Sequence, residues 1–332
     1  MKRGTLAVAA LLVAACLAAT GGRATPKRQL RVGFVTYSGV VPTKRTLEGQ
    51  MFAGFLKAEK ELDFRGRVVY VPPTQDPSGA LSYLARQKYD LVIVALPRLD
   101  VVYTVARKFP RVRFFLIDIP VQGPPHKPKN VQGSIYRAEE AGYLAGYLAA
   151  LMEGRQRGKH VISAVGGFRF VGVDRWIVGY KAGARKADPA ITVKTGYTGD
   201  FANPAKCRRV ALRQIAEGSG VIFNVAGACG VGTLRAAKDE GVWGVGVDVD
   251  QSYLGPHILT SAVIRLDKGV FAVVQKLVRG RLVPDRDSVF DLRNGGVGLG
   301  RISPKVERSF LRRLEKIRRA IVAGKIRVPR AT

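Results

Sequence analysis

Short apolar runs recur along this chain, each of a length that suits a strand buried on both faces, and between them apolar residues fall at three- and four-residue intervals. LRVGFVTYSG is the first run and ends in a turn. RVVYV, DLVIVAL and VRFFLID follow, separated by helical patterns over 49–62, near 78–87 and near 101–108. Strands alternating with helices at this spacing predict a parallel sheet covered on both faces. The rhythm pauses at a Pro-rich loop over 120–130, after which VQGSIY leads into a helix over 138–152. A second series opens at HVISAVGG. It continues through a helix over 174–186, ITVKTGYTG, a helix after Pro204, a strand over 221–225, a helix carrying Leu234, Ala237 and Lys238, and a strand over 243–247. The predicted fold class is α/β, with two doubly wound parallel-sheet lobes joined by hinge crossings. ILTSAVIRL and the helix over 268–278 find no room in the second series and are assigned back to the first. The expected division is a leader and linker over 1–24, lobe 1 over 29–136 plus 259–284, and lobe 2 over 137–258 plus 285–332. NGGVGLG, at 294–300, lacks the preceding strand and immediate helix of a phosphate loop and is read as turns or a bent edge strand.

The segment 220–251, GVIFNVAGACGVGTLRAAKDEGVWGVGVDVDQ, carries most of the candidate chemistry. It is one βαβ unit whose second strand ends on Asp248 and Asp250. In open parallel sheets, ligands lie in the crevice beyond the carboxyl ends of the strands, so these acids are placed for the hydroxyls of a small solute. Asp after a strand is also ordinary turn chemistry, which leaves a purely local role open.

Composition narrows the class. At 332 residues and 47% hydrophobic content the chain can bury a substantial core. The first residues, MKRGTLAVAALLVAACLAATGG, pair Lys2 and Arg3 with an apolar run over 6–17 that is too short to span a bilayer. This is the pattern of an export signal. The residues before Cys16 resemble the bacterial lipobox, whose cleavage leaves Cys16 as a lipidated N-terminus on the extracytoplasmic side of the cell membrane. A cut after a small-residue site near 17–19 is the alternative and would leave a soluble periplasmic protein. Two cysteines then remain, Cys207 at a predicted helix start and Cys229 past the following strand. Both lie at one edge of a βαβ layout, so a disulfide is sterically allowed, and two free buried thiols are the other reading. Three His and two Cys at these spacings do not make a zinc site, and no metal or cofactor is expected.

The net charge of +30 raises nucleic acid, anionic membranes and acidic ligands as partners. Nucleic acid is excluded because the cations are spread along the whole chain, without zinc-finger spacing or an aromatic RNA-binding signature, behind an export signal. The densest cluster, 301–332, reads as a helix opened by Ser303 and Pro304 with Val306, Phe310, Leu314, Ile317 and Ile321 on one stripe. The stripe is expected to pack on the body, with attraction to anionic lipid as a further possibility.

EEAGYLAGYLAALM, GYKAGARKADP, YTGDFANPAKC, the 221–251 segment, ILTS and IVAGKIRVP together resemble, in order, the basic membrane lipoprotein family, the purine nucleoside receptors of bacterial ABC importers. The resemblance spans nearly the whole chain after the leader. It implies a periplasmic-binding-protein type I fold, a monomer, ABC permease subunits as partners, and a purine nucleoside or related polar solute closed between the lobes. It also implies that the ligand base lies between aromatic rings and that a carboxylate and a lysine hold the ribose. Phe201 matches the second-lobe aromatic position, where stacking on a base is worth about 1 to 3 kcal/mol. Asp248 is the expected acceptor of paired hydroxyls, with Asp250 as its neighbour. Thr36 and Tyr37 at the end of the first strand and Gly227 in the turn after the 221–225 strand join the expected ligand-lining set. Trp176, where the family carries Phe, is read as core.

The first lobe departs from the family. Its Asp-Lys-Ser-Phe-Asn segment is replaced by Lys44-Arg45-Thr46-Leu47-Glu48, which sets Leu47 at the opposing aromatic position, and the family lysine is replaced by Ile264 with Arg265 beside it. A lost stacking partner costs about 0.5 to 1.5 kcal/mol and a lost charge-assisted hydrogen bond about 1.5 to 3 kcal/mol. Lys44 and Arg45 would suit an acidic or phosphorylated ligand, or stand as solvated loop charges. A surface receptor delivering a small ligand to a permease is the leading reading, and a sensor that has lost uptake is the alternative. No hydrolase elbow, HExxH or Walker loop occurs, and His126, His160 and His257 stand apart from any nucleophile pattern, so the chain is not read as an enzyme.

Overall fold

The computed structural model describes residues 28–37, 43, 46–95, 98–121, 126–156, 159–283 and 286–331. In chain order the first part runs β1 Arg31–Thr36, α1 Leu47–Glu61, β2 Arg65–Tyr70, α2 Ser78–Arg86, β3 Leu91–Val94, α3 Leu99–Lys108, β4 Arg113–Leu116 and β5 Val131–Tyr136. The second runs α4 Ala138–Gln156, β6 Val161–Gly166, α5 Val171–Ala187, β7 Thr192–Tyr197, α6 Pro204–Ala216, β8 Val221–Val225, α7 Gly230–Asp239 and β9 Trp243–Asp248. The remainder is β10 Ile258–Ile264, α8 Leu266–Val278, β11 Ser288–Phe290, β12 Val297–Leu299 and α9 Arg308–Val322.

Two six-stranded sheets result, ordered β11-β5-β4-β3-β1-β2 and β12-β10-β9-β8-β6-β7. Their strands pair in parallel, except β12, which runs antiparallel to β10. Strands such as β3 (LVIV) and β10 (ILTSAVI) are buried at every position because helices cover both faces. In each sheet the order reverses beside the first strand of the series, between β1 and β3 and between β6 and β8. Those reversal points open a crevice at the carboxyl ends, and it is there that the lobes face one another.

Two assignments made from the sequence are corrected. β10 belongs to the second sheet, where it pairs with β9 from Ile258↔Gly244 to Val263↔Asp248, and not to lobe 1. β9 would otherwise have been an open, apolar edge, and β10 closes it. β11 belongs to the first sheet, beside β5, although 285–332 was placed in lobe 2. α8 does return to lobe 1, against α1, where a β-carbon on Gly54 would collide with the Asp267 backbone. The chain therefore crosses between lobes at Arg137, at Arg265 and over 291–296. These crossings are tied together, since Arg137 N donates to Phe290 O and Arg265 N to Gly296 O, both at 2.8 Å.

Helices α4 and α5 touch backbone to backbone. A β-carbon on Gly142 or Gly146 would strike the backbone of Trp176 or Tyr180, and one on Gly179 or Gly183 that of Glu139 or Tyr143. NGGVGLG forms turns and the short edge strand β12. The C-terminal helix begins at Arg308 rather than at Pro304, and Val306, Leu314, Ile317 and Ile321 are buried against the body. No helix among the described residues is long and apolar enough to cross a membrane.

Candidate functional site

Asp248 ends β9 with φ +66°, and Asp118, two residues past β4, has φ +55°. Both are non-glycine residues in the left-handed region, a conformation Asp tolerates better than most and one that turns the side chain off the strand end into the crevice. One belongs to each lobe. Between them comes Arg175, one turn into α5, whose guanidinium clamps Asp118 at both oxygens (Nη1 to Oδ1 3.1 Å, Nη2 to Oδ2 2.5 Å) and also donates to the Tyr136 carbonyl. This fork geometry is the strong form of the arginine–carboxylate pair. A second link crosses the crevice where Gln50 Nε2, on α1, donates to the Asp248 carbonyl oxygen at 3.2 Å.

Electrostatics follow from this packing. Burial, with the Asp118 carboxylate as a second cause, pushes Asp248 up to about 7, and Arg175 only partly opposes the rise. Burial also raises Asp118, while Arg175 draws it back down. The guanidinium itself is held above its ordinary value: desolvation lowers it, but the carboxylates of Asp118, Asp248 and Glu139 together outweigh that loss. An excess of carboxylate over cation in the crevice, inside a strongly basic protein, suits a ligand that offers hydroxyl or N–H donors.

The second-lobe aromatic position is built by a short rigid loop. Asp200 accepts from Ala202 N and Asn203 N (2.7 and 3.0 Å) and pairs with Lys206 at 2.9 Å, which together hold its carboxyl down at about 2, the Lys206 contact contributing most. Asn203 then caps α6, accepting from Ala205 N, with Pro204 in the first turn. Phe201 is thus held between two anchored residues. Its carbonyl accepts from Cys229 N at 2.9 Å, and Cys207 and Cys229 form a disulfide that ties α6 to the turn after β8. Gly227 lies in that turn at φ +55°, with Phe201 O at 3.3 Å from where its β-carbon would sit. The Phe201 ring meets Phe168 edge-on at 5.1 Å and Phe170 at 6.2 Å, and all three rings are open to solvent, at 38, 46 and 51% exposure for Phe201, Phe168 and Phe170.

Other expected residues are placed differently. Asp250 accepts from Ser252 N and Arg301 N, so it braces the loop after β9. Arg265 sits at the hinge and turns onto its own helix, pairing with Asp267 at 2.9 and 2.7 Å. Both nevertheless border an inter-lobe cavity of about 430 Å³ that Gln50 also lines. Thr36 is fully buried and donates to Glu48 Oε1 at 2.9 Å. Tyr37 packs against the lobe 1 core, where burial pushes its hydroxyl up to about 12. Leu47 opens α1 behind the Thr46 cap and packs against the core. Trp176 is core. Lys44 and Cys16 lie outside the described residues.

Sequence reasoning missed Asp118, Arg175, Gln50 and Phe168. Asp118 carries the same signal that singled out Asp248, an acid at the end of an apolar run, in VRFFLID. Arg175 had only its position, one turn into the helix that follows β6.

The comparisons fit this architecture. A family model described as ABC transporter substrate-binding protein, PnrA-like, matches residues 50–332. The chain is 27% identical to the ABC transporter nucleoside-binding protein BmpA of Lactococcus lactis subsp. cremoris, over 99% of each chain. It is 30% identical to Basic membrane protein B of Borrelia garinii subsp. bavariensis over 60% of this chain, and spans 59% of that relative's length. The crystal structure of an ABC transporter solute-binding protein from Aeropyrum pernix K1 superposes with a TM-score of 0.74, over 91% of this chain and 94% of that one at 20% identity, which shows the periplasmic-binding-protein type I fold. With most of its length matched by the family model, the chain belongs to the Bmp family of PnrA-like ABC transporter substrate-binding proteins.

Proposed function

We propose that this chain is the extracytoplasmic receptor of an ABC importer, held at the cell membrane through a lipid on Cys16, and that it acts as a monomer which closes on a nucleoside-like solute and hands it to permease subunits. The observation that carries the reading is the meeting of Asp118, Arg175 and Asp248 where the carboxyl edges of the two lobes face each other. Binding is the whole of the chemistry assigned. Asp248 accepts the paired hydroxyls, Asp118 accepts a donor on the ligand's far side, and Phe201 stacks on a planar base with Phe168 packed against its edge. Closure is favoured by whatever contacts the ligand makes with both lobes at once, because a ligand shifts the equilibrium only by its differential affinity for the closed form.

Leu47, at the position where the family carries its second ring, packs against the core, and Arg265 is engaged with Asp267. The proposed receptor therefore binds purine nucleosides more weakly than a site with both partners, by roughly 30-fold to a thousandfold. Thermal-shift measurements on the chain from Thr25 onward test this against nucleosides, bases, nucleotides and sugars. Stabilisation by inosine, guanosine or adenosine is expected. A melting curve unmoved by every compound at millimolar concentration would refute the solute-receptor reading, and a response to nucleotides alone would redirect it to a phosphorylated ligand met by Lys44 and Arg45.

A further inference from the structure

The end of lobe 1 opposite the crevice carries a groove of about 610 Å³ that the solute-binding function does not use. It is formed by the segments that lead into β3 and β4, hence by the amino ends of those strands. Five cations line it, Arg28, Arg86, Lys88, Lys108 and Arg111, against one acid, Asp90. Asp90 is already engaged, since it pairs with Arg28 at 2.5 Å and accepts from Arg31 N at 2.8 Å. The other four cations are exposed and have no carboxylate partner among the described residues. The floor between them is apolar and includes Tyr89 and Phe109. The C-terminal helix α9, the densest basic stretch of the sequence, pairs only part of its charge: Arg318 and Arg319 share Glu315, at 2.8 and 2.9 Å, while Arg308, Arg312 and Lys316 have no carboxylate partner among the described residues. It is therefore the apolar floor and the place where the chain enters the fold that set the groove apart.

We propose that this cationic groove at the base of lobe 1 is a docking face for an anionic phospholipid surface. Charge complementarity is the first argument, four unneutralised cations around an apolar floor matching the boundary between headgroups and acyl chains. The path of the chain is the second. Arg28, part of the groove itself, is where the described fold begins, and eleven residues separate it from Cys16. Even fully extended, that stretch spans at most about 40 Å. A lipid on Cys16 would therefore hold this face within about 40 Å of the bilayer and would make its contact with headgroups an intramolecular event. Docking would hold the receptor at the membrane between encounters with its permease.

The tether rests on the lipoprotein reading of the leader, but the face can be tested without it. The chain from Thr25 onward, which carries every described element, is sedimented with vesicles of phosphatidylcholine alone and of phosphatidylcholine with phosphatidylglycerol. Binding to the anionic vesicles only, weakened by salt, is expected. Each cation near such a surface is worth about fivefold in partitioning. The combined variant Arg86→Glu, Lys88→Glu, Lys108→Glu, Arg111→Glu should accordingly lose at least a hundredfold. A matched variant reversing Arg308, Arg312, Lys316 and Lys325 on and after α9 should lose far less, and the two share the same change in net charge. A glutamine version of the groove variant, with its melting temperature checked, guards against misfolding. Equal losses in the two charge-reversed variants would show that the overall charge of +30 binds the membrane and would overturn the proposal. So would no binding to anionic vesicles, or competition by millimolar inorganic phosphate, which would mark a small-anion site. The solute response of the groove variant should stay intact, so failure here and failure of the receptor reading are separable.

Discussion

Asp248 does two things that pull against each other. Its left-handed backbone turns the carboxyl group into the crevice, where burial and the facing Asp118 favour the protonated form, yet a carboxylate is the better acceptor for a pair of ligand hydroxyls. With its value raised from the ordinary carboxylate range to about 7, the folded arrangement around Asp248 favours the neutral acid. That contribution is fully present below about pH 4, declines as pH rises towards 7, and is gone above it. Under the proposed function, ligand binding has the opposite sign, because Asp248 would accept hydroxyls through its ionised fraction. Affinity for a nucleoside should rise about tenfold from pH 6 to pH 8, as that fraction grows from roughly a tenth to nine tenths. Calorimetry at the two pH values checks this, and Asp248→Asn should flatten the profile while weakening binding at pH 8. A wild-type affinity that does not change with pH would place the hydroxyl acceptor elsewhere. At this scale the sequence was legible where a residue's placement follows from its own strand, as for Asp248 at the end of β9. It was not legible where the role depends on the opposite lobe, as for Asp118 and Arg175, or where a neighbour satisfies the side chain, as Asp267 does for Arg265.

Helices α4 and α5 fix how closely the second lobe can pack on the start of its own series. Gly142 and Gly146 on one, and Gly179 and Gly183 on the other, repeat at four-residue spacing and so line single faces that meet without side chains between them. Gly→Ala within a helix usually stabilises, by up to about 1 kcal/mol, since alanine loses less conformational entropy. At Gly146 the added methyl group would meet the Tyr180 backbone, which cannot turn aside as a side chain can. Gly146→Ala should therefore destabilise by about 2 kcal/mol, whereas Gly154→Ala, on the same helix with open space around it, should stabilise by about 0.5 to 1 kcal/mol. Urea midpoints of the two variants moving in the same direction would contradict the backbone contact. The alternation of strands and helices was readable along most of the chain, because period-2 and period-3.6 patterns are local. The sheet membership of β10 and β11 was not, since it depends on which distant edge, β9 or β5, stands open to receive them.

Across the whole molecule, the Arg175–Asp118 pair acts as a bar between the lobes, and the geometry predicts what happens when either end is removed. Both side chains are about one-fifth exposed, so the pair is well shielded, though not fully dehydrated. Removing one member of such a pair costs about 3 kcal/mol, near the lower end of the range for buried pairs, chiefly through the charge left behind. The two ends are not equivalent. Arg175→Met leaves Asp118 facing Asp248, two acids with no cation between them, and opening relieves the repulsion by hydrating both. Asp118→Asn leaves Arg175 beside Asp248, a substitute partner already felt electrostatically across the crevice. Small-angle scattering of the unliganded chain at pH 8 should show an expanded, open form for Arg175→Met, with the closed population falling roughly a hundredfold. Asp118→Asn should stay near the wild-type profile. If both variants scatter like the wild type, the lobes are held by the hinge crossings and by Gln50 rather than by the ion pair. If both open equally, the charge of Asp248 plays no part in closure.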